Sequence, residues 1–149
     1  MMKFNKNIKF DGQGYPPYDT MCQKQNNFIN NDKFPDILNR ILNVMLKKDI
    51  AYKDELIAHL NALSLKCIEK YDGFLAYIFE KDENVAPLDI NKFQTRIVVE
   101  MYVNSKNHYP TEFLLHVVDN QVRELEIFNA AGENYLELEN FDNIEFLSS

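Results

Sequence analysis

His116, Glu124 and Glu126, in the stretch LLHVVDNQVRELE (114–126), are the residues whose types and spacing bring together the parts of acid–base chemistry. A carboxylate beside an imidazole raises the ring's affinity for a proton toward neutrality, as a general base requires. The same residues at alternate strand positions also make a polar strip on one side of a sheet, because side chains at i and i+2 share a side. Register decides which groups meet. A three-residue turn at Asp119-Asn120-Gln121 pairs Leu115 with Leu125, Phe113 with Ile127, His116 with Glu124 and Leu114 with Glu126, leaving one face wholly apolar. A two-residue turn at Asp119-Asn120 slips the pairing by one, sets Leu115 against Glu124 and loses that face. The first register is therefore expected. It places His116, Glu124, Glu126 and Phe128 on the second face.

The elements that position this hairpin follow from periodicity. Residues 1–32 are polar and Asn-rich, with Gly12, Gly14 and the cluster Tyr15-Pro16-Pro17-Tyr18, and they predict an irregular arm. Asp32 precedes a run with Pro35 near its first turn, in which Phe34, Ile37, Leu38, Ile41, Leu42 and Met45 recur at helical spacing, and this predicts a first helix. A second is expected from about Asp54, with Leu56, Leu60, Leu63 and Cys67 on one stripe, ending at Asp72-Gly73. After Gly73 the period changes to two. The segments 73–80, 95–103, 112–119 and 122–128 are rich in β-branched and aromatic residues and bounded by turn chemistry. A further short strand falls in YLELE (135–139) or NIEFL (143–147).

Helices followed by strands predict one α+β domain over 1–149: an N-terminal arm (1–32), a two-helix hairpin (33–72), and a four- to five-stranded antiparallel meander (73–149). The helices would cover one sheet face and leave the other free. If YLELE adds with Leu136 and Leu138 inward, Tyr135, Glu137 and Glu139 extend the free face.

A chain of 149 residues, 46% hydrophobic and 26% charged, suits one soluble globular domain. No run reaches the roughly 18 apolar residues of a membrane span, and MMKFNKNIKF has no apolar leader core, so a cytoplasmic location is expected. Cys22 and Cys67 suit a reducing compartment, with Cys67 expected in the core, and no Cys/His spacing matches a zinc site. Neither metal nor cofactor is expected, since no GxGxxG, P-loop, HExxH or GxSxG occurs and 4 glycines make a phosphate cradle improbable.

The net charge of −7 is concentrated at one end. Residues 1–118 hold as many basic as acidic residues, while 119–149 hold Arg123 against eight acids. Phosphates would be repelled, which argues against nucleic acid and anionic membrane as ligands and for a basic partner if the partner is charged at all. Three readings compete for the acidic face: solvated surface, protein-binding face with Phe128 and Tyr135 as anchors, and catalytic His116/Glu124 pair.

The segment 109–133, YPTEFLLHVVDNQVRELEIFNAAGE, resembles a hairpin pattern, LLHVxDGxLxELEIYxxDG, of small bacterial proteins, some of them similar to immunity proteins of contact-dependent growth inhibition and related toxin-delivery systems. The matching residues are Leu114, Leu115, His116, Val117, Asp119, Leu125, Glu126, Ile127 and Gly132. Asn120 stands where the pattern has Gly and Ala131 where it has Asp. The resemblance implies a cytoplasmic antidote that binds one cognate toxin, monomeric when free, and it implies no catalytic residue. The expected partner-binding residues are His116, Glu124, Glu126, Phe128, Tyr135, Glu137 and Glu139.

Overall fold

A computed structural model describes residues 28–132, apart from 90, 94, 106 and 107, together with the backbone of 141–146. Two helices, α1 (Asp36–Met45) and α2 (Lys53–Ala62), precede six strands: β1 (Leu65–Tyr71), β2 (Phe74–Phe79), β3 (Ile97–Ser105), β4 (His108–Val118), β5 (Gln121–Asn129) and β6 (Phe141–Phe146). All pairings are antiparallel, in the order β1-β2-β5-β4-β3-β6. The α+β class and the helical cover on one face are as expected. The sheet is larger than expected, and its strands are not one continuous meander. Strands β3, β4 and β5 follow one another, whereas the β1–β2 hairpin adds at β5 and β6 adds at β3.

The extra strand comes from the expected second helix. That helix stops at Ala62, and Leu65–Tyr71, read as its tail, is instead the edge strand β1. Asp72-Gly73, read as a helix stop, is the β1–β2 turn, with Tyr71 opposite Phe74. Gly73 is required there: its φ is +72°, and a Cβ would lie 2.6 Å from the Gly132 Cα and 2.8 Å from the Asn129 carbonyl oxygen. Cys67 accordingly lies exposed on β1 and not in the core.

The core lies between the helices and the inner sheet face. Leu38, Ile41, Leu42 and Met45 of α1 and Leu56, Ile57 and Leu60 of α2 are buried. From the sheet they meet Tyr77, Phe79, Val99, Met101, Phe113, Leu115, Leu125 and Ile127. The β4–β5 register brings Leu115 opposite Leu125, Phe113 opposite Ile127 and His116 opposite Glu124, as the apolar alternation requires. It is reached by a different turn. Val118 faces Gln121 across a two-residue turn in which Asp119 and Asn120 both have positive φ (53° and 64°), the geometry that matches hairpin twist. A bulge between His116 and Val117, with Arg123 the extra residue opposite, then restores the apolar register.

Residues 28–31 run extended against both helices, held by side-chain amides. Asn43 accepts from the Ile29 N–H (2.7 Å) and donates to its carbonyl (2.8 Å), and Asn39 does the same for Asn31 (3.2 and 3.0 Å). Asn61 accepts from the Asn30 N–H (2.9 Å) and donates to the Phe28 carbonyl (3.0 Å). The buried Asn31 side chain donates to the Leu60 and Leu63 carbonyls (3.0 and 2.8 Å) at the end of α2, where the Leu60 carbonyl also accepts from the Leu63 N–H (3.3 Å). Residues 1–27 of the expected arm lie outside the described residues.

Candidate functional site

The outer sheet face is built by alternation. Each strand sends every second side chain away from the helices, and the registers align them in rows across neighbouring strands. One row runs Tyr71, Phe74, Phe128, Glu112, Tyr102. The next runs Glu69, Ala76, Glu126, Leu114, Glu100, and a third runs Cys67, Ile78, Glu124, His116, Ile97. Five of these positions are Glu, four are Tyr or Phe, and none is Lys or Arg. Tyr71 and Phe128 are 65% and 41% exposed, large apolar surface to leave in water. The Tyr71 and Phe74 rings lie 5.9 Å apart, forming a continuous wall at one corner.

Like charges two residues apart on one strand, or on adjacent strands, destabilise the face that carries them. Part of that repulsion is relieved locally. Glu112 accepts a hydrogen bond from Tyr102, which, with the nearby carboxylate charge, raises the phenol's pKa. Glu126 Oε1 lies 2.9 Å from His116 Nε2. The histidine therefore bonds to its diagonal neighbour and not to Glu124, the residue directly across from it and the expected partner. His116 is 8% exposed, and its Nδ1 is buried with no hydrogen-bond partner among the described residues. With one ring nitrogen engaged by Glu126 and the other shut from solvent, the ring presents no nitrogen to a reacting atom.

Of the residues expected at the site, Glu124, Glu126, Phe128 and His116 share this face, and Tyr135, Glu137 and Glu139 lie outside the described residues. Sequence reasoning missed Glu69, Tyr71, Phe74, Glu100, Tyr102 and Glu112. The period-two alternation of FLAYIF and IVVEMYV carried the signal for Phe74, Ala76 and Ile78 and for Glu100 and Tyr102, once a register was known. Glu69 and Tyr71 were hidden in the misread helix.

A second histidine has a different role. His59 on α2 is buried, and the Val122 N–H donates to its Nε2 at 3.0 Å, so Nε2 is unprotonated. Its Nδ1 therefore carries the proton and donates to the Ala86 carbonyl at 3.1 Å. Burial lowers its pKa, against smaller opposing effects of the Ala86 bond and the Glu55 charge. His59 ties helix, sheet and the 80–96 connection together, and Gln121 adds bonds to the Asp82 carbonyl (2.7 Å) and from the Asp82 N–H (3.3 Å). An open groove of about 230 Å³ lies beside His59, lined by Glu55, Ala58, Ala62 and Val85 to Leu88. The Glu55 oxygens there are engaged by the Asp89 N–H (3.0 Å) and the Lys92 ammonium (3.2 Å).

Among the described residues no helix is long and apolar enough to cross a membrane, and no cluster of three or more His, Cys, Asp or Glu could hold a metal ion. Compared with protein families, curated proteins and solved structures, the chain matches none.

Proposed function

We propose that the chain is an immunity protein that binds and neutralises a basic, nuclease-type toxin domain through the outer sheet face. The observation that carries this reading is the set of aligned rows, whose paired positions hold five glutamates and four aromatic residues and no lysine or arginine. Nuclease domains are basic because their substrate is polyanionic, and a carboxylate-rich surface attracts them at long range and covers the charges that hold the substrate. Long-range attraction supplies the association rate. Tight binding then needs a few desolvated anchors, for which Tyr71, Phe74 and Phe128 provide the area. The likeness of 109–133 to immunity-protein hairpins supports the same reading, with a cytoplasmic monomer as the acting form.

The test begins with the neighbouring gene: if it encodes a large secreted protein with a C-terminal toxin domain, association of that domain with this chain is followed by stopped flow across a salt series, and a housekeeping gene in that place would remove the proposal. The rate should fall steeply as salt rises, and Glu124→Lys with Glu126→Lys should slow it further. A rate indifferent to both salt and charge reversal would remove the proposal.

A further inference from the structure

Strand β1 stands at the end of the sheet, paired with β2 on one side and with no described strand on the other. Antiparallel pairing points the N–H and C=O of one residue at the neighbouring strand and those of the next residue away from it. The two-residue turn at Asp72-Gly73 makes Tyr71 and Phe74 a hydrogen-bonded pair, so Tyr71, Glu69 and Cys67 turn their backbone groups toward β2. The Asn129 N–H, which donates to the Gly73 carbonyl at 2.8 Å, sets the same alternation from the far side of β2, where Leu75 and Tyr77 turn theirs toward β5. Ile68 and Lys70 therefore aim their backbone groups outward. The helices do not cover this edge either. Every residue from Lys66 to Tyr71 is exposed, and Ile68, opposite the buried Tyr77, is 48% exposed.

We propose that β1 takes an extended segment of a protein partner as a further antiparallel strand, one in which an apolar residue lies between two acidic residues at alternate positions. The inference goes beyond the outer face, since it uses the edge of the sheet. Strand addition draws its affinity from the outward backbone groups, and the side chains opposite select the segment. Lys66 and Lys70 stand two residues to either side of Ile68. An apolar residue opposite Ile68 covers its exposed surface, and acidic residues two positions away on either side meet the two lysines. A second copy of this chain fits poorly. Symmetric pairing about Ile68 sets Lys66 opposite Lys70 of the second copy, and pairing about Glu69 sets the two Glu69 carboxylates face to face; like charges directly opposite are destabilising. Pairing about Cys67 sets Lys70 opposite Ser64, whose carbonyl is turned to the Glu80 N–H (2.8 Å), so the outward groups of Lys70 go unmatched. The lysines thus disfavour self-pairing and select an acidic strand.

The experiment uses the full chain, isotope-labelled for NMR, and a capped peptide in which threonine alternates with glutamate, valine and glutamate. Two controls accompany it: a peptide with lysine in place of both glutamates, and one with N-methylated valine, which keeps every side chain and loses one backbone donor. In the free chain the Ile68 and Lys70 amides should exchange with solvent far faster than those of Glu69 and Tyr71. The glutamate peptide should bind saturably, with shifts centred on residues 66–71 and slowed exchange at Ile68 and Lys70. The lysine peptide should bind about tenfold more weakly, the combined effect of two cross-strand pairs changed from opposite to like charge. The N-methylated peptide should not bind. Ile68→Pro removes an N–H that serves no bond within the sheet, a position where an edge strand tolerates proline, and should abolish binding with the rest of the spectrum unchanged. Lys66→Glu with Lys70→Glu, both at exposed positions, should reverse the preference between the glutamate and lysine peptides. Equal binding by the parent and N-methylated peptides overturns the proposal, because charge alone would then hold the segment, and so does a glutamate peptide that never saturates. Ile68 exchange that is already slow in the free chain overturns it as well: at all concentrations it would mean that another segment of this chain holds the edge, and only at high concentration that a second copy does.

Discussion

The two sides of the sheet treat polar groups in opposite ways. On the helical side buried polar residues are engaged with other parts of the chain: His59 with Val122 and Ala86, Asn31 with the end of α2, Gln121 with Asp82. On the outer side, charges of one sign stand in rows with few partners, beside aromatic rings left in water. A buried polar group without a partner is destabilising, whereas an exposed one is not, so stability constrains the polar residues of the first side far more than those of the second. The apolar core and the acidic, aromatic outer surface are thus encoded in alternate residues of the same strands.

The comparison can be broken most forcefully on β4 and β5. Phe113→Ala opens a cavity on the inner side and should cost about 3–5 kcal/mol in urea unfolding, while Phe128→Ala, on the opposite side of the neighbouring strand, should cost under about 1 kcal/mol. Equal losses would show that the outer face is part of the core. Next in size, Asn31→Ala removes the side-chain donor from the Leu60 and Leu63 carbonyls, of which Leu60 keeps the Leu63 N–H, and should cost about 1–3 kcal/mol, with Asn43→Ala exposing the Ile29 amide to faster hydrogen exchange. Exchange at Ile29 as slow as in the parent chain would mean that the side-chain amide does not secure this segment.

A pH series sharpens the contrast between the two histidines. Burial depresses the His59 pKa, so the unfolded chain takes up the extra proton first. Its contribution to stability is complete above the ordinary histidine value of 6.5 and is lost progressively as the pH falls below it. His59→Gln should lower stability at pH 7.5 and flatten the decline between pH 6.5 and 5; a slope unchanged by the substitution would assign the decline to other groups. The smallest effect is expected outside. Glu124→Gln should change stability by no more than about 0.5 kcal/mol, in the stabilising direction at low salt because it removes a like-charge contact.

Much of the inner face was legible in the sequence because two independent signals agreed. Period-two alternation in FLLHV and LEIF defined the same apolar set that the pairing constraint required, and the pairing survived even though the turn was shorter than expected and a bulge made up the difference. The segment LSLKCIEKY carried no such agreement. Leu60, Leu63 and Cys67 fit a helical stripe, Cys67, Glu69 and Tyr71 fit one side of a strand, and only pairing with β2 separates the two. Its misreading displaced Cys67 from the surface and concealed one edge of the acidic face. His59 was beyond local reasoning for another reason, since the amide that fixes its tautomer lies 63 residues further along the chain. The helix asparagines look like ordinary solvated positions until the extended segment is placed beside them.

That segment carries its own lesson about tolerance to change. Because its backbone is gripped by amide side chains and not by another strand, the exposed Phe28, which offers only its carbonyl, and Asn30, which offers its N–H, can be exchanged for nearly any residue provided position 30 keeps that N–H. The gripping positions have no such latitude. Aspartate at 39, 43 or 61 lacks the donor, and glutamine is one methylene too long to make both bonds in place. A saturation library across these sites would show a permissive strip of chain read out by three positions that accept a single amino acid.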